Sequence, residues 1–221
     1  MAGPLLQPLL ILVLSLALGS ARQAGVLVNK EWVLTVAHCY MSEYIVQMGS
    51  DLLVDGNAQK IRATESFIHP RYDTATDTHD IMLVKLSSPA KLSPSVRIVN
   101  VPSSCKQPET SCTVSGWGSI SMDVVRTSTE LMCSNVNLIS YEDCREFHRV
   151  LSKKYVICAA PPNRDSLACK GDLGSPLMCQ GSLQGLVSSN YFPCRPPFGP
   201  VIYTRVCRYS KWIYETMRKN S

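Results

Sequence analysis

Short apolar and β-branched runs divided by turn residues set the texture of this chain. Val26-Leu27-Val28, Trp32 to Thr35, Tyr44 to Met48, Ile81 to Val84, Met132 to Leu138 and Leu183 to Val187 each have the length of a strand, and Gly, Pro, Asn and Ser clusters separate them. Alternation, or an unbroken apolar run of four to eight residues, fits strands with one or both faces covered. Two segments carry helical signals instead. Ser140-Tyr141-Glu142-Asp143 has the form of a capping box ahead of Cys144, Phe147 and Val150. Ser210 stands where it would cap a C-terminal helix whose Trp212, Ile213, Thr216 and Met217 share one face. Many short strands with turn signals and no internal repeat predict an all-β barrel or sandwich.

The beginning of the chain departs from this texture. Leu9 to Leu18 is a ten-residue apolar run broken only by Ser15, followed by the small residues Gly19-Ser20-Ala21. The run is too short to span a bilayer and has the layout of a secretory leader, residues 1 to about 21. The remaining stretch, 22–221, is long enough for one sizeable domain. Ten cysteines agree with an extracellular compartment, where such density means disulfides. Four scattered histidines without zinc-type spacing to cysteine argue against a metal, and no cofactor is expected. The net charge of +5 is spread along the chain, which argues against nucleic acid as a partner. No later segment is long and apolar enough to suggest a membrane span, and a monomer is expected.

Candidate chemistry lies in three distant pieces. Thr35-Val36-Ala37-His38-Cys39 offers a histidine after a strand, His79-Asp80-Ile81 offers an acid opening another, and Cys169-Lys170-Gly171-Asp172-Leu173-Gly174-Ser175-Pro176 is a glycine-bracketed loop. A hydrolytic triad needs a base, an acid that fixes the tautomer of the base, and a nucleophile, and these can come from distant parts of a chain. Base and acid are available. The loop, however, has leucine where a nucleophile would stand, and leucine has no atom that a base can activate.

These pieces belong to a wider pattern. Gly25-Val26-Leu27-Val28-Asn29, Trp32-Val33-Leu34-Thr35, Cys112-Thr113-Val114-Ser115-Gly116-Trp117-Gly118, Leu183-Gln184-Gly185-Leu186-Val187-Ser188, Phe192-Pro193-Cys194 and Tyr203-Thr204-Arg205-Val206-Cys207 continue it almost to the C-terminus. In these motifs the chain resembles the chymotrypsin-type serine proteases, and among them the tissue kallikreins. The resemblance implies two antiparallel barrels, about residues 22–100 and 101–221, with a C-terminal helix and an active-site cleft between the barrels. It implies that His38 is the general base and Asp80 its orienting partner, with Leu173 at the nucleophile position. It also implies disulfides Cys105-Cys207, Cys112-Cys179, Cys144-Cys158 and Cys169-Cys194, leaving Cys39 and Cys133 unpaired.

Against that family the chain departs at five places. The nucleophile is replaced by Leu173. The activation sequence is missing: the chain passes from Ala21-Arg22-Gln23 almost directly into Ala24-Gly25-Val26. Relatives use the freed amine of that segment to pair with the acid at Asp172, which orders the oxyanion loop carried here by the N-H groups of Gly171 and residue 173. The partners of Cys39 and Cys133 belong to the same missing stretch, so the N-terminal barrel is expected to be incomplete, with an open edge near Val26 to Asn29. The substrate-pocket positions are Leu167 and Ala168 at the floor, Ser188-Ser189-Asn190 along the edge, and Val201 at a wall usually held by glycine. Ser175 replaces a further glycine.

The reading is a secreted, kallikrein-like homologue without catalysis that acts by binding, its partner a protein or a protease inhibitor. Two alternatives stay open: a serine endopeptidase of chymotryptic preference recorded as a defective sequence, and a splice or annotation product that folds poorly. His79 and His69 are expected at turns or on the surface, and His148 on the surface of a helix.

Overall fold

The structure is a computed structural model that describes residues 12–14, 23–117, 128–148, 152–162, 173–189 and 200–221, with the backbone alone at 12–14 and 189. The strands of the first half are β1 (Leu12–Leu14), β2 (Val26–Asn29), β3 (Trp32–Thr35), β4 (Tyr44–Met48), β5 (Gln59–Ile68) and β6 (Met82–Leu86). They form one open six-stranded antiparallel sheet in the order β1-β4-β5-β6-β3-β2. The second half contains β7 (Ser111–Gly116), β8 (Met132–Leu138), helix α1 (Tyr141–Phe147), β9 (Val156–Ala160), β10 (Pro176–Cys179), β11 (Ser182–Ser189) and β12 (Val201–Arg205). Its strands close into a barrel in the order β10-β11-β12-β9-β8-β7, and α2 (Ser210–Lys219) ends the chain. The expected all-β pair of sheets is therefore present, one closed and one incomplete, with β2 at the open end.

Continuous apolar runs become strands here because the first sheet feeds two cores. In β3, Trp32 and Leu34 enter a core shared with the second barrel and α2, whereas Val33 enters a core enclosed by the first sheet. In β6, Leu83 faces the shared core, and Met82, Val84 and Leu86 face the enclosed one. Side chains alternate across a sheet, so a strand covered on both faces needs apolar residues at every position. The shared core joins Val26, Trp32, Leu34 and Leu83 to Leu183 and Leu186 of β11 and to Ile213 and Met217 of α2. Each such side chain contributes about 1.5–3 kcal/mol on burial, which fixes the two halves together. Polar stitches add to it. The Trp117 indole N-H donates to the Asp51 carbonyl at 2.8 Å, and the Leu53 and Leu131 amides donate to the Thr129 and Asp51 carbonyls.

Helix α1 starts as its sequence predicts: the Ser140 hydroxyl accepts the Asp143 amide at 3.0 Å. Its expected face is narrower, because Cys144 is buried while Phe147 is 48% exposed, and Val150 lies outside the described residues. Helix α2 corrects an expectation. Ser210 is its first residue and not an accepting cap; its hydroxyl donates to the carbonyls of Pro102 at 2.5 Å and Cys207 at 3.3 Å. The helix still buries Ile213 and Met217.

Disulfides join Cys105 to Cys207, Cys112 to Cys179 and Cys144 to Cys158, closing sequence separations of 102, 67 and 14 residues. Cys169 and Cys194 lie outside the described residues. Cys39 and Cys133 carry no disulfide; the first is buried and the second exposed. Burial raises the pKa of the Cys39 thiol, which a hydrogen bond with His38 only partly offsets, and partial desolvation by neighbouring side chains raises that of Cys133. A protonated, covered thiol is a poor nucleophile. Alkylation of the native protein, mapped by mass spectrometry, should therefore modify Cys133 first and reach Cys39 only on unfolding. Equal labelling of Cys39 in the folded chain would contradict this arrangement.

Candidate active site

The site is built around a carboxylate that the fold places out of water. Asp80 is 1% exposed, just ahead of β6. Its Oδ1 accepts the backbone N-H of His38 at 2.9 Å. Its Oδ2 accepts the Ser188 hydroxyl at 2.6 Å and faces His38 Nδ1 at 2.7 Å. A buried charge is tolerable only when paired and hydrogen-bonded, and these contacts meet that requirement from both halves of the molecule. Thr204 on β12 adds a bond from its hydroxyl to the Asp80 main-chain carbonyl at 2.7 Å.

His38 sits in a 3-10 turn, Ala37–Cys39, that leaves β3 and is 24% exposed in its side chain. Because Nδ1 is engaged by Asp80, a neutral His38 carries its proton there and offers Nε2 as the free basic atom. Burial alone would disfavour the imidazolium. The Asp80 hydrogen bond and charge, with the contact to the Cys39 sulfur, outweigh it and raise the His38 pKa to about 10.

The segment that begins at Leu173 is held by backbone contacts that do not involve a nucleophile. The Leu173 carbonyl accepts the Ala24 amide at 2.8 Å, and the Gly174 amide donates to the Val187 carbonyl at 2.8 Å. Gly174 has φ +82°, and a Cβ there would lie 2.0 Å from the Ala24 oxygen, itself bonded by the Thr35 hydroxyl at 2.7 Å. Only glycine fits so close an approach in the left-handed region. Leu173 is half-buried, its side chain packed against the shared core and the core of the second barrel. Ser175 is 0% exposed, and its hydroxyl has no hydrogen-bond partner among the described residues. Burial removes it as a displaced nucleophile, since attack geometry tolerates little misplacement.

The remaining expected positions divide between described and undescribed parts of the chain. Val201 opens β12 opposite Ala159 and packs against the second-barrel core. Ser188, expected along the substrate edge, donates its hydroxyl to the Asp80 carboxylate. Ser189 ends β11, and Leu167, Ala168, Gly171, Asp172 and Asn190 lie outside the described residues.

Sequence reasoning did not find the roles of Ser188 and Thr204. The available signal was a hydroxyl at a fully covered position of an apolar strand, which must bond to something. Nor is His79 a surface residue: it is 7% exposed, with φ 59°, and its Nδ1 lies 3.2 Å from the Tyr209 hydroxyl. Its ring stacks on His69 at 4.9 Å and lies 4.2 Å from Tyr155. Burial, then the neighbouring His79 and Arg71 charges, lower His69 to about 4; burial, Arg71 and Lys154 lower His79. His148 sits at the end of α1, with Nε2 2.9 Å from the Pro200 carbonyl. Among the described residues no cluster of His, Cys, Asp or Glu could hold a metal ion, and no helix is long and apolar enough to cross a membrane.

The profile of the Trypsin family matches residues 13–213. Kallikrein-7 of Homo sapiens is 45% identical over 252 aligned positions that cover 100% of both chains. Because this chain has 221 residues, that relative carries sequence with no counterpart here. Trypsin-1 of Salmo salar is 38% identical, over 87% of this chain and 80% of its own. A solved structure of neuropsin, a serine protease expressed in the limbic system of mouse brain, superposes with TM-score 0.83 at 35% identity, covering 88% of each chain.

The two titrations act in opposite directions. Protonated His38 is stabilised by folding, so its contribution is complete below pH about 6.5 and is lost as pH rises toward about 10. His69 resists protonation in the fold, so its contribution is complete above pH about 6.5 and is lost as pH falls toward about 4. Melting temperature should therefore fall on both sides of pH 6.5. His38→Gln should flatten the alkaline limb and His69→Gln the acid limb; a wild-type melting temperature constant from pH 7 to 10 would exclude the first linkage.

Proposed function

This chain belongs to the trypsin family of serine proteases and is kallikrein-like throughout its length, and from that premise we propose that it is a secreted homologue that does not cleave peptide bonds and acts by binding a protein partner or a protease inhibitor. One observation carries the reading. His38 and Asp80 have the geometry of a general base with its orienting acid, but the motif that would carry the nucleophile has leucine at position 173. Peptide hydrolysis in this family passes through an acyl group on the attacking oxygen, and a leucine side chain offers neither a proton to remove nor a lone pair to attack with. Removing any member of such a triad leaves at most about a thousand- to ten-thousandfold acceleration over water, supplied by binding and the oxyanion hole.

Further changes point the same way. The extra sequence in Kallikrein-7 agrees with loss of the activation segment, whose amine would otherwise pair with Asp172. Without that pair, the donor loop at Gly171 and residue 173 lacks its usual organising charge. Val201 adds branched bulk at a pocket wall, and Leu167 and Ala168 give the floor no charge for Lys or Arg side chains. Recognition of a chain needs a complementary surface and no nucleophile, so binding is compatible with the absence of cleavage. Secretion rests on the leader-like segment and the disulfides.

A fluorophosphonate probe labels any activated serine. The purified wild-type chain should remain unlabelled, and labelling mapped to a cleft side chain would overturn the reading. Leu173→Ser should also remain unlabelled and fail to hydrolyse peptide substrates, because the pocket and the activation segment are altered as well. Measurable turnover by that single variant would confine the defect to one side chain.

A further inference from the structure

Two histidines outside the His38 pair sit together at a joint between the halves. His69 and His79 bracket the segment that links β5 to Asp80, and their rings stack in parallel, 4.9 Å apart with 7° between planes. Tyr155, ahead of β9, tilts against His79 at 4.2 Å. Tyr209, just before α2, and Trp212, within it, meet His69 edge to face at 5.3 and 5.0 Å. The stack therefore fastens a segment of the first half to elements of the second. The backbone it fastens is unusual, since Asp77 and His79 have φ 49° and 59°. Residues other than glycine keep such left-handed angles only where the surroundings hold them. Here the hold includes the Tyr209 hydroxyl, 3.2 Å from His79 Nδ1, and the His69 and Ile81 amides, which donate to the Ile81 and His79 carbonyls at 3.1 and 2.8 Å.

This geometry has no place for a further proton. His69 Nδ1 accepts the Arg71 amide at 3.2 Å, so the proton of the neutral ring sits on Nε2. A second proton would set donor against donor at Nδ1 and lay a cation flat on a parallel imidazole. The charges facing the stack have the same sign: Arg71 from its own segment, and Lys154, whose ammonium lies 5.2 Å over the Tyr155 ring. The acids nearby are engaged elsewhere. The Tyr72 hydroxyl donates to Asp77 at 3.1 Å, and the Asp80 carboxylate is taken up by His38 and Ser188. We propose that the stacked imidazoles of His69 and His79 form an acid-sensitive latch: proton uptake separates the rings, frees the 69–80 segment from Tyr155, Tyr209 and Trp212, and loosens the grip of Asp80 on His38. Asp80 follows His79 directly in the chain, so relaxation of the His79 backbone moves the carboxylate that fixes the His38 ring. Burial and the neighbouring charges lower His69 to about 4 and lower His79 as well, so the latch is closed at neutral pH. Its contribution is complete above pH about 6.5 and is lost as pH falls toward about 4. The latch is independent of turnover and of the residue at 173.

Histidine ring resonances and amide exchange, followed on the purified protein from neutral pH down to about 4, test this. The His69 ring should titrate well below 6.5, and the His38 ring resonances should respond with the same midpoint. The His38 and Asp73 amides donate to Asp80 Oδ1 and to the Thr78 carbonyl. Their protection, corrected for intrinsic exchange, should fall at least about tenfold for each pH unit below about 6.5. The amides of Val33 and Leu34 in β3, a strand paired on both sides, should keep theirs. His69→Gln retains an acceptor for the Arg71 amide and His79→Asn tolerates a left-handed φ. In the double variant, exchange at His38 and Asp73 should therefore lose this pH dependence; an unchanged slope would assign the effect to carboxylates and overturn the latch. If the double variant does not fold, the wild-type chain decides: a His69 midpoint near 6.5, or a His38 response at a different pH, would reject the proposal. Loss of protection in β3 in step with Asp73 would also reject it, by making the opening global.

Discussion

A carboxylate removed from water governs the arrangement of this molecule. Asp80 is covered by the contact between the two halves, and its donors come from both: the His38 amide and ring from the first sheet, the Ser188 hydroxyl from the second barrel. Thr204 fixes the adjoining main chain from β12. An ion in that position is tolerated only while its partners are in place, so any sliding of one half over the other would leave a buried charge unpaired. The same bonds set the tautomer and direction of His38. Survival of the histidine-aspartate pair is therefore explained by folding alone, and its presence says nothing by itself about turnover.

The loop carrying Leu173 is separable from catalysis in the same sense. Its position comes from the Ala24 amide on the Leu173 carbonyl, the Gly174 amide on the Val187 carbonyl, and a glycine that admits the Ala24 oxygen where a Cβ would collide. None of these contacts uses the side chain at 173. A leucine can occupy the position without disturbing the loop, and its packing against two core clusters adds apolar contact where a hydroxyl would have added little. A leucine side chain and retention of the loop are thus compatible at this residue.

What was legible in the sequence follows how much burial each strand has. β3, β4 and β6 are covered on both faces and stood out as apolar runs. β5 did not, because Lys60, Arg62, Thr64 and Glu65 face solvent and only Ile61 and Ala63 are fully buried along its ten residues. β9 and β10 are five and four residues long and draw on Ala, Cys and Pro, which carry weak strand signals. At the site, His38, Asp80 and Leu173 were visible through their flanking motifs, whereas Ser188 and Thr204 were not, since a hydroxyl acquires its role from a partner more than 100 residues away. His79 was misplaced because a polar residue next to an acid reads as a turn. Only the tertiary stack with His69, Tyr155 and Tyr209 covers it.

The two halves are secured by different means. All three described disulfides fall between Cys105 and Cys207, within or beside the second barrel. On a chain-entropy account such loops stabilise by about 3 to 5 kcal/mol each, so the closed barrel is restrained even when its packing loosens. Cys39 in the first half and Cys133 in β8 have no partner. The first sheet therefore depends on noncovalent terms: two apolar cores, the Asp80 bonds and strand β1 along β4. A sheet open at one end and held without described crosslinks will unfold first when its core is weakened, and the second barrel will retain its shape longer. That ordering places the mobile half on the His38 side of the cleft. Any partner that binds across the cleft would then stabilise the half that needs it most, since a ligand favours the state in which both of its contact surfaces are formed.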